Sequence, residues 1–247
     1  MLGEATQCEW TFEHGCRTPT CERAGSKQTE HGITGLFFIM CGWQRKAKNM
    51  IIGVDIDNTI KDTHRAAVEI YNRKLNQQVK VEDVQDFYLD KAYGLTPKEG
   101  QKLWRSLEEE IYQLGVPLNH AVEVLNDLAD QGHQIYFITA RPGLKNIESV
   151  TRKWLKEHGF PYNGKNLIMN SQDKGKVAKE LGVELFFEDA PDHLEKLVKS
   201  QVPTVIVDAV YNRDFPVPLK RITNWRQVYS LVEEMERSKQ KKDTDEP

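Results

Sequence analysis

After residue 49, short apolar runs alternate with longer amphipathic stretches. We expect the apolar runs to form strands, because each has the length of a buried strand and ends at polar residues. In the amphipathic stretches hydrophobic residues recur at helical spacing, as at Val122, Leu125, Leu128 and Ala129. The predicted strands are residues 50–54, 134–138, 166–169, 184–187 and 204–207. Strands that alternate with helices predict an α/β fold with a doubly wound, Rossmann-like parallel sheet.

The segment between the first two predicted strands is too long for a simple crossover. Residues 63–75 have a helical pattern, and so do residues 96–114 after a Thr-Pro start, whereas residues 79–93 are irregular and rich in aromatic residues. This predicts a small helical cap, residues 62–115, inserted after the first strand. The core would then comprise residues 50–61 and 116–235.

The two ends of the chain lack this order. Residues 1–49 show no sustained period, and Met50 stands where the first strand begins, so we expect residues 1–49 to be disordered or an upstream extension of the gene model. Zinc binding is an alternative, although the cysteine spacings lack the paired Cys-x-x-Cys of a finger. Its ligands would be Cys8, His14, Cys16, Cys21, His31 and Cys41. Residues 236–247 are charged without an apolar face and are expected to be a frayed tail.

Composition excludes several classes of protein. The formal net charge of -3 provides no basic field, so we expect no nucleic acid polymer as a partner. The longest apolar run, residues 33–41, is far shorter than the roughly 20 residues of a membrane span, and it does not resemble a secretory signal. We therefore expect a cytoplasmic protein without a membrane partner. A homo-oligomer is compatible with the sequence.

Two acids follow the first predicted strand, Asp55 and Asp57. Side chains two residues apart on a strand point the same way, and open parallel sheets bind ligands at this end of their strands. One carboxylate could attack phosphorus while the other donates a proton to the leaving oxygen. A solvated turn is the alternative, because Asp and Asn also favour turns.

Three further groups follow later strands or open a helix. Thr139, Ala140 and Arg141 could hold phosphate oxygens, although Thr139 could instead cap the following helix. Lys174 could neutralise a phosphoryl group and a carboxylate, with Lys176 as its competitor.

The last predicted strand with acids at its end carries Glu188 and Asp189. Oxygen ligands in small number, with phosphate completing the shell, suit Mg²⁺. The alternative is that both acids only cap the helix after Pro191.

These four groups, in this order over residues 54–189, resemble the haloacid dehalogenase superfamily of phosphatases. The resemblance implies that Asp55 is the nucleophile and a Mg²⁺ ligand, and that Asp57 is the general acid and base and binds the metal through its carbonyl. It also implies that Thr139 contacts phosphate, that Lys174 balances charge, and that Asp189, with Glu188, completes the metal shell. If so, Asp55 must lie within about 10 Å of Lys174 and Asp189.

Within that superfamily, residues 172–174, 188–192 and 221–225 resemble the 5'(3')-deoxyribonucleotidase branch and its bacterial nucleotidases. The resemblance implies a (deoxy)nucleoside monophosphate as substrate, with Phe87, Tyr88 and Tyr93 as candidates for contact with the base. Two departures loosen this substrate assignment: Asn58-Thr59 replaces the usual Gly-Val, and Glu188 replaces an Asp. A phosphatase of sugar phosphates or other small phosphomonoesters, and a non-catalytic binding module of the same fold, remain alternatives.

Overall fold

A computed structural model describes residues 49–245 of the chain. The predictions for the first 48 residues, including the zinc alternative, lie outside this range.

The described residues form a single six-stranded parallel sheet with strand order β3-β2-β1-β4-β5-β6. This confirms the predicted doubly wound α/β fold. Its strands are β1 (Ile51–Val54), β2 (Gln134–Ile138), β3 (Leu167–Ile168), β4 (Leu185–Glu188), β5 (Thr204–Val207) and β6 (Lys220–Ile222). The sequence did not predict β6, because this short edge strand begins with two cationic residues and offers no apolar run.

The helices are α1 (Thr63–Leu75), α2 (Pro97–Gln113), α3 (Ala121–Asp130), α4 (Lys145–Glu157), α5 (Lys174–Glu180), α6 (Pro191–Lys199) and α7 (Gln227–Asp245). The start of α2 shows why the Thr-Pro signal was informative. The Thr96 hydroxyl accepts from the Glu99 N–H, the Glu99 carboxylate accepts from the Thr96 N–H, and Pro97 needs no donor partner.

The centre of the sheet carries the main apolar core. Ile52 and Val54 of β1 are fully buried and pack with Phe137 and Phe187 of the flanking strands. Burying one such side chain contributes about 1.5–3 kcal/mol. Strand β1 also requires a glycine, because a Cβ at Gly53 would lie 2.5 Å from the Phe186 ring.

The insert between β1 and α3 holds α1, α2 and two 3-10 turns, Val81–Asp83 and Lys91–Tyr93. Its apolar residues form their own cluster, which also takes in Ile147 and Val150 of α4. The insert therefore packs against a core helix, while its predicted boundaries as a cap remain a prediction.

Tyr93 belongs to the interior of this insert. It is 4% exposed and meets the Tyr71 ring edge-on at 5.1 Å. Its hydroxyl donates to the Val68 carbonyl. The resemblance implied that Tyr93 contacts a base, but the fold buries this side chain inside the insert.

Helix α7 continues to Asp245, into the segment that the sequence predicted to be a frayed tail. Val228 and Val232 pack in the main core on one face of this helix. Further along, Glu236 lies 3.6 Å from buried His133, and Lys239 forms an ion pair with Glu184. Contacts with the core thus stabilise a helix that the composition of this segment did not predict.

None of the helices within residues 49–245 combines the length and apolar character that crossing a membrane requires.

Candidate active site

Asp55 lies directly after β1, 4% exposed, and its N–H donates to the Phe187 carbonyl at 3.1 Å. The Lys174 ammonium lies 2.5 Å from one Asp55 oxygen and 2.6 Å from Glu188. The structure therefore places Lys174 beside Asp55, as the sequence predicted. Lys176 instead faces solvent with 72% of its side chain exposed.

The position of Lys174 depends on how α5 begins. The Asp173 carboxylate accepts from the Lys176 N–H and caps the helix. Gly175 lets α5 approach α6 closely, because a Cβ there would lie 2.4 Å from the Lys196 carbonyl oxygen. These two contacts fix the first turn of α5, and with it the buried ammonium.

Glu188 and Asp189 are fully buried but face different partners. Glu188 accepts from Lys174 with one oxygen and from the N–H groups of Asp189 and Ala190 with the other. Asp189 accepts from the Thr59 hydroxyl at 2.7 Å and from the Tyr211 hydroxyl at 2.5 Å. Neither acid merely caps the helix after Pro191, because Ala190 holds the N-cap position and both acids accept from side chains of other segments.

The acids Asp55, Glu188 and Asp189 offer oxygens that all lie within 4.8 Å of one another. Among the residues described, Lys174 is the one cation within ion-pair distance of them. Burial raises the pKa of each acid to about 7, against the lowering effect of Lys174. Buried oxygens with excess negative charge fit a divalent cation such as Mg²⁺. Glu188 fits the shell less well than Asp189, because its two oxygens accept three hydrogen bonds, one of them from the Lys174 ammonium, whereas those of Asp189 accept two.

Asp57 is not part of this cluster of three acids. Arg141 donates to both of its oxygens at 2.7 and 2.8 Å, and the Thr63 hydroxyl donates at 2.7 Å. Burial acts to raise the pKa of Asp57, but the Arg141 and Thr63 contacts outweigh it and the pKa is lowered. These contacts thus hold Asp57 as a carboxylate. Asp57 can donate a proton only after Arg141 releases this carboxylate.

Arg141 joins the core to the insert. It is 2% exposed, and its guanidinium lies 4.0 Å from the centre of the Tyr112 ring on α2. It also donates to the Thr151 hydroxyl on α4. The sequence predicted Arg141 as a phosphate contact and did not foresee its bond to Asp57.

Thr139 and Ala140 line the same cavity as Asp55. The Thr139 N–H donates to the Ile168 carbonyl, and its hydroxyl accepts from the Arg141 N–H. The alternative that Thr139 caps α4 is wrong, because Leu144 holds the N-cap position. The hydroxyl of Thr139 keeps its own proton to donate to a ligand.

The cavity has a volume of about 1110 Å³ and lies between the ends of the strands and the insert. Phe87 and Tyr88 line it, as predicted for substrate contacts. Phe87 packs edge-on against Tyr211 at 5.3 Å, and its carbonyl lies 3.0 Å from the His64 ring nitrogen. Tyr88 is 63% exposed. Phe87 and Tyr88 thus give the cavity an aromatic wall.

The cavity-lining residues that the sequence did not identify include two on α2 and two in other segments. Trp104 and Glu108 lie on one face of α2, and their spacing of four would have revealed a shared face but not what it faces. His64 and Tyr211 carried no signal, because their position depends on how distant segments fold together. The four are His64, Trp104, Glu108 and Tyr211.

Comparison with known proteins adds independent information. Residues 49–240 match the model of the family described as 5' nucleotidase, deoxy (pyrimidine), cytosolic type C protein. A Bacillus cereus protein named "Putative nucleotidase" is 35% identical over 189 residues, which cover 74% of this chain and 98% of that protein. A Clostridium acetobutylicum protein named as a nucleotidase is 25% identical over 188 residues, covering 74% and 94%.

Solved structures show the same fold at low identity. A haloacid dehalogenase-like family hydrolase from Streptococcus pneumoniae superposes with a TM-score of 0.53 at 10% identity, covering 74% of this chain and 98% of that one. A hydrolase from Pseudomonas syringae superposes with a TM-score of 0.53 at 14% identity, covering 75% and 99%. These two likenesses bear on the fold alone.

Proposed function

Because this chain belongs to the 5' nucleotidase, deoxy (pyrimidine), cytosolic type C family and is a phosphomonoester hydrolase of the haloacid dehalogenase superfamily, we propose that it hydrolyses nucleoside monophosphates through a phosphorylated Asp55, with Mg²⁺ as cofactor. The observation that carries this proposal is the contact between Asp55 and Lys174, both of which line a cavity large enough for a whole nucleotide. Family membership favours catalysis over the binding-module alternative.

Asp55 acts as the nucleophile. One of its oxygens attacks phosphorus, the bond from phosphorus to the ester oxygen breaks, and the nucleoside oxygen leaves with a proton from Asp57. Water then attacks phosphorus of the aspartyl phosphate, Asp57 takes the water's proton, and Asp55 is restored with release of phosphate. The Lys174 ammonium offsets the repulsion between the carboxylate and the phosphate oxygens.

Asp57 can serve as acid only after its bonds to Arg141 change. An entering phosphate offers Arg141 a second anion for bidentate bonding. Transfer of the guanidinium to phosphate would remove the contact that lowers the Asp57 pKa. Arg141 would then bind phosphate, together with the Thr139 hydroxyl and the Ala140 backbone.

Asp55 and Asp189 would hold Mg²⁺ with their carboxylates, and Asp57 would do so with its carbonyl, as the resemblance implies. Bound Mg²⁺ would draw negative charge from the phosphoryl oxygens. We assign Glu188 to the Lys174 ammonium rather than to the metal, because one of its oxygens accepts from that ammonium and the other accepts two backbone N–H bonds.

Two features support a nucleotide over a smaller ester. The cavity far exceeds the size of a phosphate group, and Phe87 and Tyr88 present aromatic surface on which a base can stack. The family and the bacterial relatives carry nucleotidase names.

A panel of nucleoside monophosphates and sugar phosphates, each assayed for phosphate release with Mg²⁺ or with EDTA, tests the proposal. We expect a nucleotide to be the best substrate, no release in EDTA, and a loss of at least about 10³-fold in Asp55→Asn with an unchanged circular dichroism spectrum. Sugar phosphates that outperform every nucleotide would contradict the substrate. Near-normal turnover by Asp55→Asn would contradict the mechanism.

A further inference from the structure

Helix α2 turns one continuous face towards the cavity. The residues on this face follow helical spacing: Gln101, Trp104, Arg105, Glu108 and Tyr112. Glu108 is the acid among them and is only 7% exposed, although it stands beside open cavity. The insert thus presents a recessed carboxylate to whatever occupies the cavity.

Within residues 49–245, Glu108 differs from every other buried charged side chain. The others are paired or hydrogen-bonded, for example Arg141 to Asp57 and Lys61 to the Ile111 carbonyl. Glu108 has no hydrogen bond and no ion pair with any described residue. Burial raises its pKa, against the effect of Arg105 one turn away. A carboxylate without a protein donor is costly to desolvate, so that of Glu108 depends on water in the cavity.

The location of Glu108 separates it from the reacting phosphate. Tyr112, one turn further along α2, contacts Arg141, which in turn holds Asp57. Residues four apart on a helix are about 5–6 Å apart, so Glu108 lies one turn of α2 away from the residue that contacts Arg141. Its negative charge would repel phosphate but would suit the uncharged part of the substrate.

We propose that Glu108 is a specificity-determining residue that accepts hydrogen bonds from N–H or O–H groups of the nucleoside being released, an inference that rests on the proposed function. A substrate entering the cavity displaces the water around Glu108 and must replace its hydrogen bonds. A leaving group with suitable donors does so. A leaving group without donors leaves the carboxylate unsatisfied and is disfavoured.

The test compares two substrates in the full-length protein with Mg²⁺. One is the best nucleotide of the panel, and the other is p-nitrophenyl phosphate, whose leaving group has no N–H or O–H apart from the proton it gains. The variants are Glu108→Leu, which removes the acceptor, and Glu108→Gln, which keeps one acceptor oxygen. Glu109→Leu is the matched control, because Glu109 is the exposed neighbour on the same helix.

We expect Glu108→Leu to lower kcat/KM for the nucleotide by about 10- to 100-fold, as for loss of a hydrogen bond to a charged group, and to leave the value for p-nitrophenyl phosphate unchanged or higher. Glu108→Gln should retain part of the nucleotide activity, and Glu109→Leu should behave as wild type. The melting temperature of Glu108→Leu should not fall, because a solvated carboxylate without a partner is replaced by an apolar side chain.

Equal losses on both substrates, or no loss on either, would overturn the inference about Glu108. Wild-type protein that releases phosphate from neither substrate would overturn the proposed function instead. In that case, calorimetry of nucleoside binding to wild type and to Glu108→Leu, which needs no turnover, tests the inference about Glu108. Weaker binding to Glu108→Leu than to wild type would support the inference, and equal binding would overturn it.

Discussion

Replacing Lys174 by Met removes the cation at the centre of the acidic cluster. Its ammonium is 1% exposed and contacts Asp55 at 2.5 Å and Glu188 at 2.6 Å, both of which are buried. The Met side chain fills nearly the same space, so the change is mainly one of charge. Lys174→Met leaves both carboxylates without a counter-ion.

Breaking a buried ion pair from one side costs about 3–5 kcal/mol. The loss of stability is limited, because each carboxyl can take up a proton instead of keeping an uncompensated charge. Taking up that proton costs about 1.4 kcal/mol for each pH unit by which the buffer lies above the unfolded-state pKa of about 4. For a protein of this size we expect a fall in Tm of about 2–4 °C per kcal/mol. Lys174→Met should therefore melt roughly 6–20 °C lower than wild type at pH 8 in EDTA.

The loss should depend on pH. Without Lys174, the folded-state pKa values of Asp55 and Glu188 rise further above their unfolded values. A carboxyl group whose pKa is higher in the folded state than in the unfolded state stabilises the fold at low pH. This contribution is lost as the pH rises through the folded-state pKa. The penalty of Lys174→Met should thus shrink between pH 8 and pH 5.5.

Thermal melting followed by circular dichroism measures the fall in Tm, and urea unfolding at pH 8 and pH 5.5 measures the loss of stability and its dependence on pH. Lys176→Met is the control, because Lys176 is exposed and its pair with Glu180 spans 3.9 Å, so we expect a loss below about 0.5 kcal/mol. Equal losses in the two variants would refute the assignment of Lys174 as the buried counter-ion. A loss in Lys174→Met that stays constant with pH would indicate packing rather than charge.

Other predictions concern the acids and the helix that positions Lys174. Tyr211→Phe removes the hydroxyl that donates to Asp189 and should weaken Mg²⁺ binding by calorimetry about tenfold, with unchanged affinity as the contradicting result. Because the pKa values of Asp55 and Asp189 are about 7 without metal, protons compete with Mg²⁺, and the rise in Tm caused by Mg²⁺ should be larger at pH 8 than at pH 5.5. An equal rise would contradict this. Gly175→Ala forces a Cβ against the Lys196 carbonyl and should cost about 1–3 kcal/mol in urea unfolding, whereas a neutral result would show that α5 can shift freely.

The sequence predicted much of the fold because its strands are buried on both faces and read as apolar runs. The bounds of β2 and β5 agree with the prediction, and α1 matches residues 63–75. Elements held by distant contacts could not be predicted in this way. The short β6 depends on pairing with β5, and the end of α7 depends on contacts with His133 and Glu184.

The candidate site likewise combines residues that the sequence identified with contacts that it could not predict. The acids after β1 and β4 were identifiable, because polar residues at the ends of apolar strands must meet at one edge of a parallel sheet. The bond between Arg141 and Asp57, and the contact of Tyr211 with Asp189, join residues 84 and 22 positions apart. No local pattern specifies such pairs, so their partners had to come from the structure.

The most direct test of the reaction is to locate the transferred phosphoryl group. Asp57→Asn protein, in which we expect hydrolysis of the intermediate to slow, is mixed with Mg²⁺ and p-nitrophenyl phosphate, whose leaving group needs no proton from Asp57, quenched in acid and digested for peptide mass spectrometry. We expect a phosphorylated peptide with the modification on Asp55, absent in EDTA and absent when Asp55→Asn is added to Asp57→Asn. Turnover of p-nitrophenyl phosphate with no phosphorylation of Asp55, or with the phosphoryl group on another residue, would contradict Asp55 as the nucleophile.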